Sequence, residues 1–247
     1  MIENRYDRNI RIEHIGAEGQ EKLKAAKVLV IGAGGLGSPA LLYLAAAGVG
    51  TLGIMDDDIV NITNLQRQIL HFINDVGRLK TVSAQAKLTA LNPEVKIETY
   101  PERFSEENAE RIINYASAGA YEFVIDCCDN FATKLLINDV CVRLKKPFSH
   151  GAAVAMRGEV MTYIPGAACY RCVFDTPPKD GMLPTALQTG ILGAVAGMVG
   201  TIQATEAIKY LTGMSGLLTN RLLIIDAKTM TFTSLKITPN VHCACTR

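Results

Sequence analysis

The stretch Gly32-Ala33-Gly34-Gly35-Leu36-Gly37 constrains this chain more than any other feature. It is a G-x-G-x-x-G. Before it runs Lys27 to Gly32, rich in β-branched residues, which reads as a short buried strand. After it, Ser38 to Ala47 reads as a helix, with Ser38 as its N-cap and Pro39 at the first helical position. Glycines at such a turn let the backbone approach an anion, and the helix start offers unsatisfied N–H groups at the positive end of its dipole. Gly32, Gly34, Gly35 and Gly37 are therefore candidate phosphate-binding positions. Asp56 comes 19 residues after Gly37, at the end of a second strand, Thr51 to Met55. A carboxylate there accepts hydrogen bonds from ribose hydroxyls. The pattern predicts adenine nucleotide binding and leaves open which nucleotide.

The rest of the chain continues the alternation. Helices are expected at Ile10 to Lys24, Lys80 to Leu91, Glu106 to Tyr115, Ala132 to Leu144 and Gly190 to Leu211. Strands are expected at Val95 to Tyr100, Phe123 to Asp126, Glu159 to Ile164, Arg221 to Asp226 and Thr231 to Ile237. This order predicts an α/β, Rossmann-like fold: a mostly parallel sheet with helices on both faces, continuing into a C-terminal strand region. Tyr170 to Gln188, rich in proline, reads as an exposed loop crossing the molecule. No linker divides the chain, so residues 1–247 read as one domain, with a nucleotide-binding core at about 20–150 and a crossover and C-terminal part at about 165–247.

Composition narrows the function. With 25 Lys and Arg against 24 Asp and Glu, the chain is not a polybasic nucleic-acid binder. Its longest apolar stretches are broken by glycines, so no membrane span is expected. No signal peptide is readable, and a soluble, cytoplasmic protein is expected.

Cations then gather around the acids. Asp58, Asn64, Arg67, Gln68 and Lys80 follow Asp56, Asp129 and Asn130 follow a predicted strand, and Arg5 and Arg8 lie near the N-terminus. An adenylating enzyme must hold a triphosphate and neutralise charge as pyrophosphate leaves, for which Arg and Lys clamps with a metal ion are the recurring solution. Arg67 and Lys80 would be the clamp, and Asp129 would hold magnesium through oxygen. A nicotinamide-dependent oxidoreductase would use the glycines and Asp56 but leave Arg67, Lys80 and Asp129 without a purpose. Asp129-Asn130 also has a plain alternative, as the start of a helix.

The chain resembles the MoeB/ThiF/HesA family, bacterial relatives of ubiquitin-activating enzymes. The resemblance rests on Arg5-Tyr6-x-Arg8, the glycine loop through Ser38, Gly48-Val49-Gly50, Asn64-Leu65-Gln66-Arg67-Gln68, Val76-Gly77-x-x-Lys80, Asp126-x-x-Asp129-Asn130, Cys169-Tyr170-Arg171-Cys172 and Gln203-Ala204-x-Glu206-Ala207-Ile208-Lys209. It implies binding of ATP and magnesium, and adenylation of the C-terminal glycine of a ubiquitin-like sulfur carrier. Such a carrier is similar to ThiS or MoaD, ends in Gly-Gly and serves thiamine or molybdopterin synthesis. The same resemblance implies that Asn64, Arg67, Gln68, Lys80 and Asn130 join the glycines, Asp56 and Asp58 around the nucleotide. It also implies a homodimer in which Arg8 reaches the neighbouring subunit's triphosphate. The attacking carboxylate needs no general base, so positioning and charge neutralisation suffice. His14, His71 and His150 accordingly read as structural or surface residues. Another carboxylate or peptide substrate stays open, as does a scaffold without turnover.

Seven cysteines with no readable secretory signal favour metal binding over disulfides. Cys169-x-x-Cys172 has the spacing of half a zinc site, and Cys243-Ala244-Cys245 lies 71 residues further on. The family's second half is commonly C-x-x-C. The departure here leaves His242 as an alternative ligand in a three-cysteine, one-histidine site. Several family members carry a sulfur-handling cysteine in the crossing loop, where this chain has Ala186. No cysteine lies between Val173 and Thr189, and no sulfurtransferase-like segment is expected. Cys127, Cys128 and Cys141 read as buried structural thiols. The expectation is a reaction that stops at the acyl adenylate, with sulfur delivered by another protein.

Overall fold

A computed structural model describes residues 5–115, 119–176 and 186–246. In chain order the elements are α1 (Asp7–Ile10), α2 (Gly16–Ala25), β1 (Lys27–Ile31), α3 (Gly37–Ala47), β2 (Thr51–Met55), α4 (Lys80–Leu91), β3 (Lys96–Tyr100), α5 (Glu106–Tyr115), β4 (Phe123–Asp126), α6 (Phe131–Arg143), β5 (Phe148–Val154), β6 (Arg157–Tyr163), α7 (Ala186–Thr189), α8 (Gly193–Thr212), β7 (Arg221–Asp226) and β8 (Thr231–Lys236).

The strands form one eight-stranded sheet in the order β3-β2-β1-β4-β5-β6-β7-β8. β3 through β5 in that order are parallel, and β5 to β8 continue antiparallel. Alternate residues of β1 show why the parallel half is covered twice. Val28 and Val30 pack with α2, α3, α4 and α8, whereas Leu29 and Ile31 pack with α5 and α6. Both faces of a parallel strand must bury apolar side chains, and these helices supply the partners. The expected α/β sheet with helices on both faces is therefore present. The antiparallel extension ends in β8, exposed along its whole length.

Four local readings change. The helix expected from Ile10 to Lys24 is two helices, separated where Gly16 takes a left-handed φ of +60°. Leu36, not Ser38, sits at the cap of α3, without a side-chain cap bond. Gly37 presses so closely on the Gly32 carbonyl that a Cβ would lie 1.9 Å from it, which draws the helix start back into the glycine turn. Ser38 and Pro39 thus fall inside the first turn, both buried. β5 has no counterpart among the expected strands. Tyr170, expected in an exposed loop, is buried in a short 3-10 turn, Tyr170–Cys172. The middle of that loop, residues 177–185, lies outside the described residues, and no side chain of Ala186 is described. Among the described residues no helix is long and apolar enough to cross a membrane.

Candidate functional site

The chain leaves β1 for β2 on one side and returns to β4 on the other, so the carboxyl ends of β1 and β4 flank a crevice where the strand order reverses. In open α/β sheets that crevice is the ligand position. It collects the glycine loop after β1, Asp56 after β2 and the Asp126-Cys127-Cys128-Asp129 turn after β4. Gly32 and Cys127 are in direct contact there: a Cβ on Gly32, whose φ is +100°, would lie 2.7 Å from the Cys127 carbonyl oxygen.

Asp56 braces the loop. Its Oδ2 accepts from the Ala33 amide at 2.8 Å and its Oδ1 from the Asp58 amide at 2.9 Å. Burial raises its carboxyl above the usual range, and Lys80 and the two amides offset only part of that rise. Lys80 starts α4, with its side chain only 6% exposed. Its Nζ lies 2.8 Å from Asp58 Oδ2 and 3.8 Å from Asp56 Oδ1. A buried ammonium beside two carboxylates at the mouth of the loop is a ready counter-charge for phosphate.

The Asn61-to-Gln68 segment packs against the glycine loop, with Gln68 near Gly34 and Arg67 near Gly35. Asn64 Oδ1 accepts from the Asn61 amide at 3.0 Å, so this side chain shapes the turn. Arg67 donates to the Thr63 carbonyl at 3.1 Å, and its Cγ would lie 3.4 Å from a Cβ on Gly35. The start of α8 packs in as well, since a Cβ on Gly193 would sit 2.5 Å from the Gln66 carbonyl oxygen. Gln68 is buried, and its Oε1 has no hydrogen-bond partner among the described residues. A buried amide oxygen without a partner is costly and marks a group arranged for something else.

Asp129 is exposed at the crevice rim. Asn130 caps α6, its Oδ1 accepting from the Thr133 amide at 2.9 Å, so for this residue the helix-start alternative describes the structure. Arg8 is not brought to the crevice. Its side chain is 84% exposed and pairs with Asp7. The neighbouring Tyr6 packs on Gly48 and accepts from Asn92, beyond the far end of α3 from the glycine loop. Eleven residues of helix separate the two ends, about 16 Å.

The residue pattern gave no sign of a second polar cluster directly under the crevice. Asp126, fully buried, accepts from Lys134 Nζ at 3.1 Å and faces His150 Nδ1 at 2.9 Å. Burial alone would raise its carboxyl, but the Lys134 charge and the His150 hydrogen bond outweigh burial and hold it below the usual range. Gln203 on α8 donates to the backbone carbonyls of Asp126 (2.7 Å) and Ser149 (3.1 Å), tying β4 to β5. His150 packs on Tyr170 with ring centroids 4.4 Å apart. One signal was available in principle: parallel register places Asp126 beside His150.

Tyr170 belongs to the second candidate site. The Sγ atoms of Cys169, Cys172, Cys243 and Cys245 all lie within 4.8 Å of one another. Cys169 and Cys243 are 3.4 Å apart, Cys172 and Cys245 3.5 Å, and Cys169 and Cys172 4.0 Å. None of the four is in a disulfide. A tetrahedral Zn–S shell implies edges of about 3.8 Å, so this donor set fits a thiolate-bound metal. His242 is exposed and outside the cluster. Burial and the contact with Cys243 push the Cys169 thiol up, and burial raises Cys245 to about 11. Burial works against the Cys172 thiolate, but its donors together, the Asn240 amide at 3.3 Å first among them and then the Cys169 amide and the neighbouring thiols, outweigh it and the shift is downward. Cys127 and Cys141 are buried and Cys128 partly so, with thiols raised by burial, as expected of inert cysteines.

Comparison with known proteins agrees with this geometry. The E. coli MccB crystal structure with MccA-N7isoAsn superposes with a TM-score of 0.87 at 23% identity, covering all of this chain and 75% of that one. The E. coli MccB structure with ATP gives 0.85 at 23% identity, covering 99% and 75%. At that identity the likeness concerns the fold. Sequence relatives are nearer. The SAMP-activating enzyme E1 of Haloferax volcanii is 44% identical over 97% of this chain and 87% of its own. The sulfur carrier protein adenylyltransferase of Thermus thermophilus is 42% identical over 97% and 89%. The adenylyltransferase and sulfurtransferase MOCS3 of Anopheles gambiae is 44% identical over 95% of this chain, which spans about half (52%) of that protein. Residues 6–246 match the ThiF family, and with relatives at this identity along nearly all of the sequence, the chain belongs to that family.

Proposed function

We propose that this protein uses ATP and magnesium to adenylate the C-terminal glycine of a ubiquitin-like sulfur carrier ending in Gly-Gly. The observation that carries the reading is the crevice itself: the glycine loop, Asp56, Lys80 and Arg67 gather at the sheet's reversal point, with Asp129 free at its rim. Relatives named as carrier-activating enzymes supply the substrate class.

The glycine loop and the start of α3 offer amides to the phosphates, and Asp56 accepts from the ribose while it braces the loop. The carrier's carboxylate oxygen attacks the α-phosphorus. An O–P bond forms, the bond to the β-phosphate oxygen breaks, and pyrophosphate leaves with its electron pair. No proton moves, in keeping with a crevice that has no nucleophile–base pair among the described residues. Lys80 and Arg67 neutralise the growing charge. Asp129 offers carboxylate oxygen and would hold magnesium, which would supply positive charge to offset that on the phosphates. Cys169, Cys172, Cys243 and Cys245 would hold zinc, which would staple the C-terminal segment to the Tyr170–Cys172 turn.

Arg8 lies too far from its own crevice to act there, so a homodimer in which it serves the neighbour's triphosphate is part of the proposal. The segment Val173 to Thr189 holds no cysteine, so no thioester forms on it and the product is released as the acyl adenylate. Thiamine and molybdopterin synthesis both supply carriers of this kind, and a cytoplasmic setting suits either. The nicotinamide alternative leaves the cations idle. Equilibrium titration with magnesium ATP and separately with NAD tests the choice. Binding of magnesium ATP, lost in Lys80→Met, is expected, whereas a preference for NAD would end the proposal.

A further inference from the structure

His71 sits between β2 and α4, and its side chain is almost wholly buried. Its Nε2 lies 2.8 Å from the Ala33 carbonyl oxygen, and its Nδ1 lies 2.8 Å from Ser83 Oγ. A carbonyl oxygen only accepts, so Nε2 carries the proton. Burial holds the imidazole below its ordinary value, so the ring is neutral at pH 7 and Nδ1 accepts from the Ser83 hydroxyl. Ser83 Oγ in turn accepts from Lys87 Nζ at 3.1 Å, and Lys87 pairs with the buried Asp75 carboxylate. From Lys87 through Ser83 and His71 the donors point toward the glycine loop, where the chain ends on the Ala33 carbonyl.

Ala33 is held from both sides. Its amide donates to Asp56 and its carbonyl accepts from His71. The peptide joining Ala33 to Gly34 is trans, so its C=O and N–H point opposite ways. With the carbonyl drawn toward His71, the Gly34 N–H is turned the other way, and it makes no hydrogen bond to a described residue. The Gly34 Cα beside it is uncrowded, since a Cβ there would meet only the tip of Gln68, at 3.5 Å.

We propose that His71 is a positioning residue for nucleotide binding: as the Nε2–H tautomer it holds the Ala33 carbonyl and so presents the Gly34 amide to a phosphate of the nucleotide. This rests on the nucleotide reading of the loop. His71 touches no reacting atom and acts through Ala33. A histidine that merely filled the core would influence stability without favouring nucleotide binding over turnover.

The test uses the full chain and its His71→Gln and Ser83→Ala variants. It combines magnesium ATP titration, KM and kcat, thermal unfolding, and long-range ¹⁵N–¹H NMR of the wild-type ring. A proton on Nε2 at pH 7 is expected. So is a folded His71→Gln protein that binds magnesium ATP about tenfold more weakly with kcat within about threefold, the loss of one amide–phosphate hydrogen bond. Ser83→Ala, which leaves the ring in place but frees its tautomer, should weaken binding less and provides the test if His71→Gln does not fold. A proton on Nδ1, an imidazolium at pH 7, or folded variants that bind as tightly as wild type overturn the proposal. Wild type that binds no magnesium ATP sinks the nucleotide reading itself, whereas wild type that binds and variants that match it sink only the role of His71.

Discussion

The glycine-loop end and the four-cysteine end of the molecule differ in what satisfies their polar groups. At the loop, the protein answers most of its own charge: Ala33 is held by Asp56 and His71, Lys80 by Asp58, and Asp126 by Lys134 and His150, while Gln68 Oε1 and the Gly34 N–H have no partner among the described residues. At the cysteines, four sulfurs chiefly face one another, with the Asn240 amide the added donor to Cys172. The first site is organised before any ligand arrives, which is what charge stabilisation during a reaction requires. The second has a donor set that a cation among its sulfurs would complete. Removing a ligand should therefore leave the loop folded and loosen the C-terminal segment.

The largest expected effect lies at the crevice rim. Asp129→Ala should lower pyrophosphate exchange roughly 100-fold or more, because charge on the leaving pyrophosphate loses its metal. Melting temperature should stay within about 2 °C, since the side chain is exposed and holds nothing in place. A variant that loses activity by unfolding would blur the comparison, and calorimetry distinguishes the two.

Metal removal should do the reverse. Protein purified without chelator should carry close to one equivalent of zinc. A strong chelator, or Cys172→Ser, should lower the melting temperature by roughly 10 °C, given that about 1 kcal/mol moves a domain of this size by about 2–4 °C. Exchange activity at low temperature should largely persist. Less than half an equivalent of metal, with no change on chelation, would remove the contrast between the two ends.

A smaller effect is expected from acid. The folded-state value of His71 lies below its ordinary 6.5 because burial opposes the charge. Between the two values the unfolded chain binds a proton that the native protein refuses. Stability is thus complete above about 6.5 and falls as pH drops toward the folded value. Asp56, raised by burial, has the opposite sign, so the informative quantity is the difference between wild type and His71→Gln. The wild type should show the steeper loss between pH 7 and 5, and equal slopes would contradict a buried neutral ring. Smallest of all is Ser149→Ala: its buried Oγ has no partner among the described residues, so a melting temperature unchanged or slightly raised is expected.

Much of this was legible in the sequence, for a physical reason. β2, β4, β7, α4 and α5 have the expected bounds because each has its own apolar run or helical period and a local stop. The glycine loop, Asp56, Lys80 and the cysteine pairs were readable as spacings. β5 was not, because His150, Gly151, Ala152 and Ala153 dilute its pattern, and it is made a strand by β4 and β6 on either side. His71 and Asp126 were not, because their partners are fixed by packing at long sequence separation: Ala33 is 38 residues from His71, and His150 is 24 from Asp126. Arg8 was legible as a motif, but its distance from its own crevice emerges only from the fold.

ATP–pyrophosphate exchange with magnesium tests the central claim most directly, with candidate carriers ending in Gly-Gly added one at a time. Exchange should require one such carrier and vanish when its terminal glycine is removed. Exchange with no carrier at all, or none with any carrier despite tight magnesium ATP binding, would contradict it.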